Sequence, residues 1–125
     1  MVELEINADC KNSPRREFLK EFNSAFAKGD VSFIEANLDD EVSWHMVGDR
    51  TIMGKAAFIT ELESMKASPV QKMVLQTVVT HGRHASASGE MHLVSGEVYA
   101  YCDVYGFAKA TGTTLKSITS YVIKI

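Results

Sequence analysis

The spacing of the apolar residues divides the chain into a helical first half and a strand-rich second half. Three segments carry apolar residues three and four positions apart, which is the spacing of one face of an α-helix. They consist of Phe18, Leu19, Phe22, Ala25 and Phe26, then Phe33, Ile34 and Leu38, then Phe58, Ile59, Leu62 and Met65. Ser13-Pro14, Asp30 and Gly54 stand where these helices should begin, and Gly29 and Ser68-Pro69 where the first and third should end. The pattern predicts three helices.

From Val70 onward the apolar period changes to two, as in β-strands. Four segments rich in Val, Thr, Tyr and Ile follow one another: QKMVLQTVVTHG, HASASGEMHLV, EVYAYCDVYGFAKA and TTLKSITSYVIKI. Turn signals separate them at Gly82-Arg83, Ser95-Gly96 and Thr111-Gly112, which indicates an antiparallel meander. Two shorter strands, VSWHMV and TIM, precede the third helix. Helices first and strands afterwards predict an α+β fold, with the helices on one face of a curved, mostly antiparallel sheet.

Length and composition agree with this fold and exclude some classes of partner. The 125 residues suit one domain, 1–125, and the net charge of −3 argues against a nucleic-acid partner, which would need a basic face. No segment approaches the ~18 consecutive apolar residues of a membrane span, so no membrane partner is expected. The start, MVELEINADC, lacks the pattern of a signal peptide, and Cys10 and Cys102 form no CxxC motif. We therefore expect two reduced thiols in a cytoplasmic protein.

The segment EVYAYCDVYGF places a carboxylate within an aromatic row. Side chains alternate along a strand, so one face holds Tyr99, Tyr101, Asp103, Tyr105 and Phe107. An unpaired charge in a dry core is costly, which leaves two interpretations of this face. It either lies in solvent or a subunit interface, with Asp103 hydrogen-bonded to a neighbouring strand, or lines a cavity. In a cavity, desolvation would raise the pKa of Asp103 and suit it to acid–base work.

The segment VSWHMVGD contains the only tryptophan and a histidine beside it. Alternation puts Trp44 and Met46 on one face and His45 on the other. His45 is either a structural histidine bonded to a backbone carbonyl or a proton shuttle, since imidazole changes charge near neutral pH. The Asp49-Arg50 pair that follows is expected in a solvated turn.

Three further histidines carry no recognisable metal motif. His81 and His84 flank a tight turn and His92 lies further along, but no HExxH or CxxC accompanies them. The chain also lacks a nucleophile elbow, a phosphate loop and a GxGxxG motif. We expect neither a metal nor a cofactor.

The order of elements resembles the SnoaL-like and ketosteroid-isomerase-like branch of the nuclear transport factor 2-like superfamily. The segment FNSAFAKGDVSFIEANLDDEVSWHMVGDRTIMGKAAFITEL carries the resemblance. Its features are a first helix ending in Gly29-Asp30, a short second helix leading into LDDEVSW, and the Gly48 to Gly54 spacing before the third helix. The likeness covers about residues 13–125 and leaves 1–12 as an N-terminal extension. It implies a cone-shaped α+β barrel, open at one end onto an apolar pocket, and a homodimer formed through the sheet.

The resemblance also implies roles for particular residues. The general-base aspartate of the isomerase aligns with His45, its oxyanion-hole aspartate with Asp103, and its oxyanion-hole tyrosine with Phe22. A shift of one residue in the strand would instead put Met46 at the functional position and move His45 to a surface or an interface. The residues expected to line the pocket are Phe22, Trp44, Tyr99, Tyr101, Tyr105 and Ile118.

Two functions follow from this resemblance. In the first, the protein is a cofactor-independent enzyme of the isomerase or cyclase type that acts on a small apolar organic molecule. His45 would take or relay a proton alpha to a carbonyl, while neutral Asp103 would donate a hydrogen bond to the developing oxyanion. In the second, the protein is a non-catalytic ligand-binding or dimerisation module. The first requires both side chains to point into one cavity.

Overall fold

A computed structural model of the protein describes residues 1–125 and contains three helices and seven strands. The helices are α1 (Pro14–Lys28), α2 (Val31–Ala36) and α3 (Lys55–Met65). The strands are β1 (Glu3–Ile6), β2 (Leu38–Met46), β3 (Thr51–Met53), β4 (Val70–His81), β5 (His84–Leu93), β6 (Val98–Phe107) and β7 (Leu115–Lys124). The three predicted helices and the four-strand meander are confirmed.

The helix ends follow from the capping residues of the sequence. The Ser13 side chain accepts a hydrogen bond from the Arg16 N–H at the start of α1, and Gly29 ends the helix in the left-handed conformation at φ 73°. The Asp30 side chain caps α2 in the same way, by accepting from the Phe33 N–H. Leu38, expected in α2, instead begins β2, because α2 ends at Ala36 and Leu38 pairs with Leu115 of β7.

One sheet contains all seven strands in the order β1-β4-β5-β6-β7-β2-β3. The β4–β7 meander and the β2–β3 pair are antiparallel, whereas β1 with β4 and β2 with β7 run parallel. The short edge strands β1 and β3 lie at opposite ends and do not pair with each other. The sheet is therefore curved but open, and the closed barrel expected from the resemblance is not formed. Helix α1 packs on β4 and α3 on β2.

The first twelve residues contribute to this sheet. Residues 1–12 are the expected N-terminal extension of the single domain, and within them Glu3 to Ile6 pair in parallel with Lys72 to Leu75. Lys72 also forms ion pairs with Glu3 and Glu5. The pairing joins segments far apart in the sequence, so no local pattern indicates it.

The helices cover one face of the sheet, and the apolar core lies between them. Leu19 of α1, Phe58 of α3 and Leu75 of β4 are among its most buried side chains. The opposite face, which we call the outer face, has no helix on it and exposes apolar residues such as Val104 and Tyr121. None of the three helices has the length and apolar composition of a membrane-spanning helix.

Candidate functional site

A cavity of about 1110 Å³ lies between the helices and the inner face of the sheet. Helices α1 and α3 and strands β2, β6 and β7 supply its walls, and 20 of its 32 lining residues are hydrophobic. Such a volume is slightly above the usual range of ligand sites, about 300–1,000 Å³. The exposed side chains of Val47, Asp49 and Lys66 mark its mouth. The space suits an apolar molecule larger than a single ring.

All six residues expected to line a pocket lie in the wall of this cavity: Phe22, Trp44, Tyr99, Tyr101, Tyr105 and Ile118. Trp44 stacks on Phe58, with ring centroids 4.5 Å apart. Phe22 meets Tyr105 edge to face, with centroids 6.0 Å apart. These aromatic contacts connect the helices to the sheet and make the deep part of the wall apolar.

Asp103 is the carboxylate deep in this wall. It lies on the cavity-facing row of β6, between Tyr101 and Tyr105, and its side chain keeps partial exposure. The Tyr105 hydroxyl donates to its Oδ2 at 3.4 Å, and Ser120 lies directly opposite on β7. Of the two interpretations of this face, the lining of a cavity agrees with the geometry.

Burial raises the pKa of Asp103 from 3.8 to about 6, while hydrogen bonds from the Ser120 and Tyr105 side chains oppose the rise. The opposition has a clear cause, since a hydroxyl that donates to a carboxylate stabilises its ionised form. The balance leaves a carboxyl group that changes charge close to neutral pH. Such a pKa suits a general acid or base.

Two further side chains determine where the hydroxyl hydrogens point. Trp44 Nε1 donates to Ser120 Oγ at 3.0 Å, and Asn23 Nδ2 donates to Tyr105 Oη at 3.1 Å. Because these N–H groups can only donate, each hydroxyl accepts from its neighbour and keeps its own hydrogen for Asp103. Asn23 Nδ2 also donates to the Leu19 carbonyl at 2.8 Å, which establishes the orientation of the amide. The network directs both hydroxyl groups at the carboxylate.

His45 does not share the cavity with Asp103, and the expected pairing of the two is wrong. Its side chain is exposed on the outer face, where Nδ1 lies 2.7 Å from Thr51 Oγ1. Strand β2 pairs Trp44 with Ile118 and His45 with Thr119, so alternation turns Trp44 inward and His45 outward. Met46, the alternative for the functional position, is the residue of this strand that lies with Trp44 in the cavity wall.

Two polar residues of the site were not among those predicted from the sequence. Asn23 and Ser120 are both buried, although they are polar. The signal for each was present: Asn23 lies one turn after Leu19 on the apolar stripe of α1, and Ser120 shares the alternating row of Ile118. A polar residue on a buried stripe needs a hydrogen-bond partner, so it points to a polar network.

The turn at the mouth is tied to helix α3. Arg50 follows the turn between β2 and β3 and forms an ion pair with Glu61, a lining residue of the cavity. The Asp49-Arg50 pair was expected to be solvated, and both side chains are about half exposed. The ion pair holds the turn beside the opening.

Comparison with solved structures shows that the chain has the fold of the nuclear transport factor 2-like proteins. A protein of unknown function from Cytophaga hutchinsonii has 24% identity and a TM-score of 0.66, with 86% of this chain and 97% of that chain covered. An epoxide hydrolase/cyclase-like enzyme of pyran ring formation in the polyether salinomycin, SalBIII, has 14% identity and a TM-score of 0.75, with 92% and 95% covered. An LEH-like epoxide hydrolase from M. tuberculosis has 17% identity and a TM-score of 0.72, with 86% and 80% covered. At these identities the likeness concerns the fold.

The sequence assigns the chain to one family of proteins with this fold. The model of the SnoaL-like domain matches residues 19–114, which is most of the chain. The protein therefore belongs to the SnoaL-like domain family, as the resemblance in the sequence implied. No curated protein matches the chain.

Proposed function

We propose that the protein is an enzyme that binds a small apolar organic carbonyl compound in the cavity, and that Asp103 is its general base. One observation carries the proposal. Asp103 is a carboxyl group deep in an apolar wall, held by two hydroxyl donors, and its pKa is about 6. A carboxylate largely withdrawn from water, yet mostly ionised at pH 7, is a stronger base than one in solution.

The proposed reaction is a proton transfer at carbon. Asp103 takes the proton from a carbon alpha to the carbonyl, and the electrons of the broken C–H bond form a C=C bond as negative charge moves to the carbonyl oxygen. Protonated Asp103 then returns the proton to a carbon of the enolate, and the carbonyl forms again. In a β,γ-unsaturated carbonyl compound, return of the proton to the γ carbon of the dienolate moves the double bond into conjugation with the carbonyl. Where the molecule has a second carbonyl group, attack of the enolate carbon on it closes a ring, and protonated Asp103 gives its proton to the alkoxide that forms. No cofactor takes part.

This assignment reverses the role that the resemblance implied for Asp103. A neutral Asp103 would donate to the oxyanion, with His45 as the base. His45 lies on the outer face, and the Tyr105 and Ser120 hydroxyl groups favour the ionised form of Asp103. We therefore assign the base to Asp103. The cyclase-like and hydrolase-like names of the structural neighbours support a small-molecule enzyme.

The test uses 2-tetralone, a bicyclic apolar ketone with an acidic alpha C–H bond. In deuterium oxide the protein should speed deuterium uptake at that carbon, measured by mass spectrometry, and the rate should increase with pH through about 6 as Asp103 ionises. Asp103→Asn should slow the uptake by about 10²–10⁴-fold. The matched control is Asp49→Asn, which removes an exposed carboxylate at the mouth and should leave the rate unchanged. Equal rates with wild type and Asp103→Asn would refute the proposal.

We also propose that two copies pair through the outer face of the sheet. Three apolar side chains on β6 and β7 favour this: Val104, Tyr121 and Ile123 are 39%, 48% and 67% exposed. Covering such a patch with a second copy removes apolar surface from water. A dimerisation module without catalysis would use the same face.

Sedimentation tests this assembly. Wild type should sediment as a dimer at micromolar concentration, and Val104→Glu should shift it towards the monomer. Ala57→Glu, on the exposed side of α3, is the control and should leave the dimer intact. A monomeric wild type would contradict the pairing.

For the compartment we propose the cytoplasm, because Cys10 and Cys102 are both free thiols. Cysteines stay reduced there without a special mechanism. Fractionation of the source cells, with antibody detection, would test this.

A further inference from the structure

The three tyrosines of the cavity-facing row of β6 differ in what their hydroxyl groups contact. The Tyr99 hydroxyl donates to Glu97 Oε2 at 3.1 Å, and the Tyr105 hydroxyl donates to Asp103 and accepts from Asn23. The Tyr101 hydroxyl is buried and has no hydrogen-bond partner. It is the only polar side-chain atom of the cavity wall in that condition.

Neither strand neighbour of Tyr101 supplies a partner for its hydroxyl. Its register partners are Gly89 on β5 and Val122 on β7, and neither carries a hydrogen-bonding side chain. Tyr101 is only 7% exposed. A buried hydroxyl without a partner destabilises the fold, and a phenylalanine would fill the same space without that cost. The hydroxyl therefore serves something other than stability.

We propose that the Tyr101 hydroxyl donates a hydrogen bond to the carbonyl oxygen of the ligand, beside the Asp103 carboxylate. Both side chains stand on one strand and in the wall of one cavity, two residues apart. Asp103 already receives the Tyr105 and Ser120 hydroxyl groups, so Tyr101 is the donor left for a ligand. The site thus selects apolar molecules that carry an acceptor oxygen.

This inference rests on the proposed function, in which the same oxygen becomes negatively charged. Tyr101 donates its hydrogen bond without losing its proton, because burial, with the charge of Asp103, raises the pKa of its hydroxyl far above neutral pH. A donor that is stationary in a low-dielectric wall stabilises an enolate oxygen more than water does. Tyr101 would therefore contact the reacting atoms directly.

The experiment compares two probe ligands of nearly equal shape. Calorimetric titration measures the affinity for 2-tetralone, which has a carbonyl oxygen, and for tetralin, which has none. Tyr101→Phe should weaken the binding of 2-tetralone roughly tenfold and change that of tetralin less than about twofold. Tyr99→Phe is the matched control, because its hydroxyl already has a protein partner, and should leave the ratio of the two affinities unchanged.

Several results would overturn the inference. Equal weakening of both ligands by Tyr101→Phe would show that the hydroxyl shapes the cavity without contacting the carbonyl oxygen. An unchanged affinity for 2-tetralone would show that the hydroxyl binds nothing. A wild type that binds neither probe would overturn the ligand class. Deuterium uptake is a separate readout: binding that depends on Tyr101 without any uptake refutes catalysis by Asp103 and leaves the binding role standing.

A second measurement separates a ligand contact from a structural role. In the protein without ligand, Tyr101→Phe removes a hydroxyl that has no partner, so its melting temperature should equal or exceed that of wild type. A lower melting temperature together with unaltered 2-tetralone binding would assign the hydroxyl to the fold and refute the inference.

Discussion

The two faces of the sheet give similar side chains opposite properties. On the inner face Asp103 lies between aromatic rings and changes charge near neutral pH. On the outer face His45 is exposed beside Thr51. Of the two, only Asp103 is withdrawn from water and lies in the wall of the cavity. Side-chain type therefore mattered less than the face on which strand alternation put it.

The same contrast separates the aromatic residues. The inner Tyr105 is fully buried and holds both Asn23 and Asp103 through its hydroxyl, whereas the outer Tyr121 is 48% exposed. The inner groups form a hydrogen-bond network in which each hydroxyl hydrogen points at the Asp103 carboxylate. Outer groups such as Tyr121 are exposed.

The largest effect is expected where a charge is moved across the sheet. Ala87 is 0% exposed and faces Asp103 across β5 and β6, so Ala87→Asp would place a second carboxylate beside the first. An unpaired buried charge should destabilise the fold by about 3–5 kcal/mol, seen in urea unfolding. His84→Asp, on the same strand but exposed on the outer face and paired with Gly106, should change stability by less than about 0.5 kcal/mol. Equal losses would mean that the faces are not distinct.

Asp103 itself should make stability depend on pH. Its pKa in the fold is about 6, above the ordinary 3.8, so the folded protein binds the proton first as the pH falls. Wild type should therefore gain stability between about pH 6 and pH 4, by roughly 3 kcal/mol, and lose it again as the pH rises. Asp103→Asn removes this contribution, and the difference between the two unfolding curves measures it. A difference that does not vary with pH would place the carboxyl in water.

A smaller loss of stability is expected when the hydroxyl of an inner tyrosine is removed and compared with the same change at an outer tyrosine. Tyr105→Phe removes one hydrogen bond to Asp103 and one from Asn23, and should cost about 1–2 kcal/mol. It should also raise the pKa of Asp103 further, because a donor to the carboxylate is lost. Tyr121→Phe, on the outer face, should leave thermal unfolding unchanged. The comparison fails if both variants unfold alike.

The smallest effect is expected at His45. His45→Gln should alter stability by less than about 0.5 kcal/mol and should not change deuterium uptake into 2-tetralone, since the side chain lies outside the cavity. Gln can still hydrogen-bond to Thr51. A large loss of uptake would return His45 to the reaction and contradict the assignment of the base to Asp103.

Much of the fold was predictable because its signals are local. The caps at Ser13 and Asp30 and the glycine at position 29 set the helix ends, and the change of apolar period at Val70 set the meander. Local signals did not extend to β1, since its partner β4 is far along the chain. Nor did they reveal that the ends of the sheet stay unpaired.

For the site, the order of residues indicates that β2 and β6 each have two distinct rows of side chains, and it marks the row of Asp103 as chemically unusual. Which row faces inward follows from long-range contacts. The reason is that alternation is symmetric: a strand displays both faces equally, and the side that meets the helices depends on its pairing. The parallel pairing of β2 with β7 turned Trp44 to the cavity and His45 to the outer face, and the approach of α1 brought Asn23 to Tyr105. Those long-range contacts created the polar network around Asp103, and no segment of the chain contains them alone.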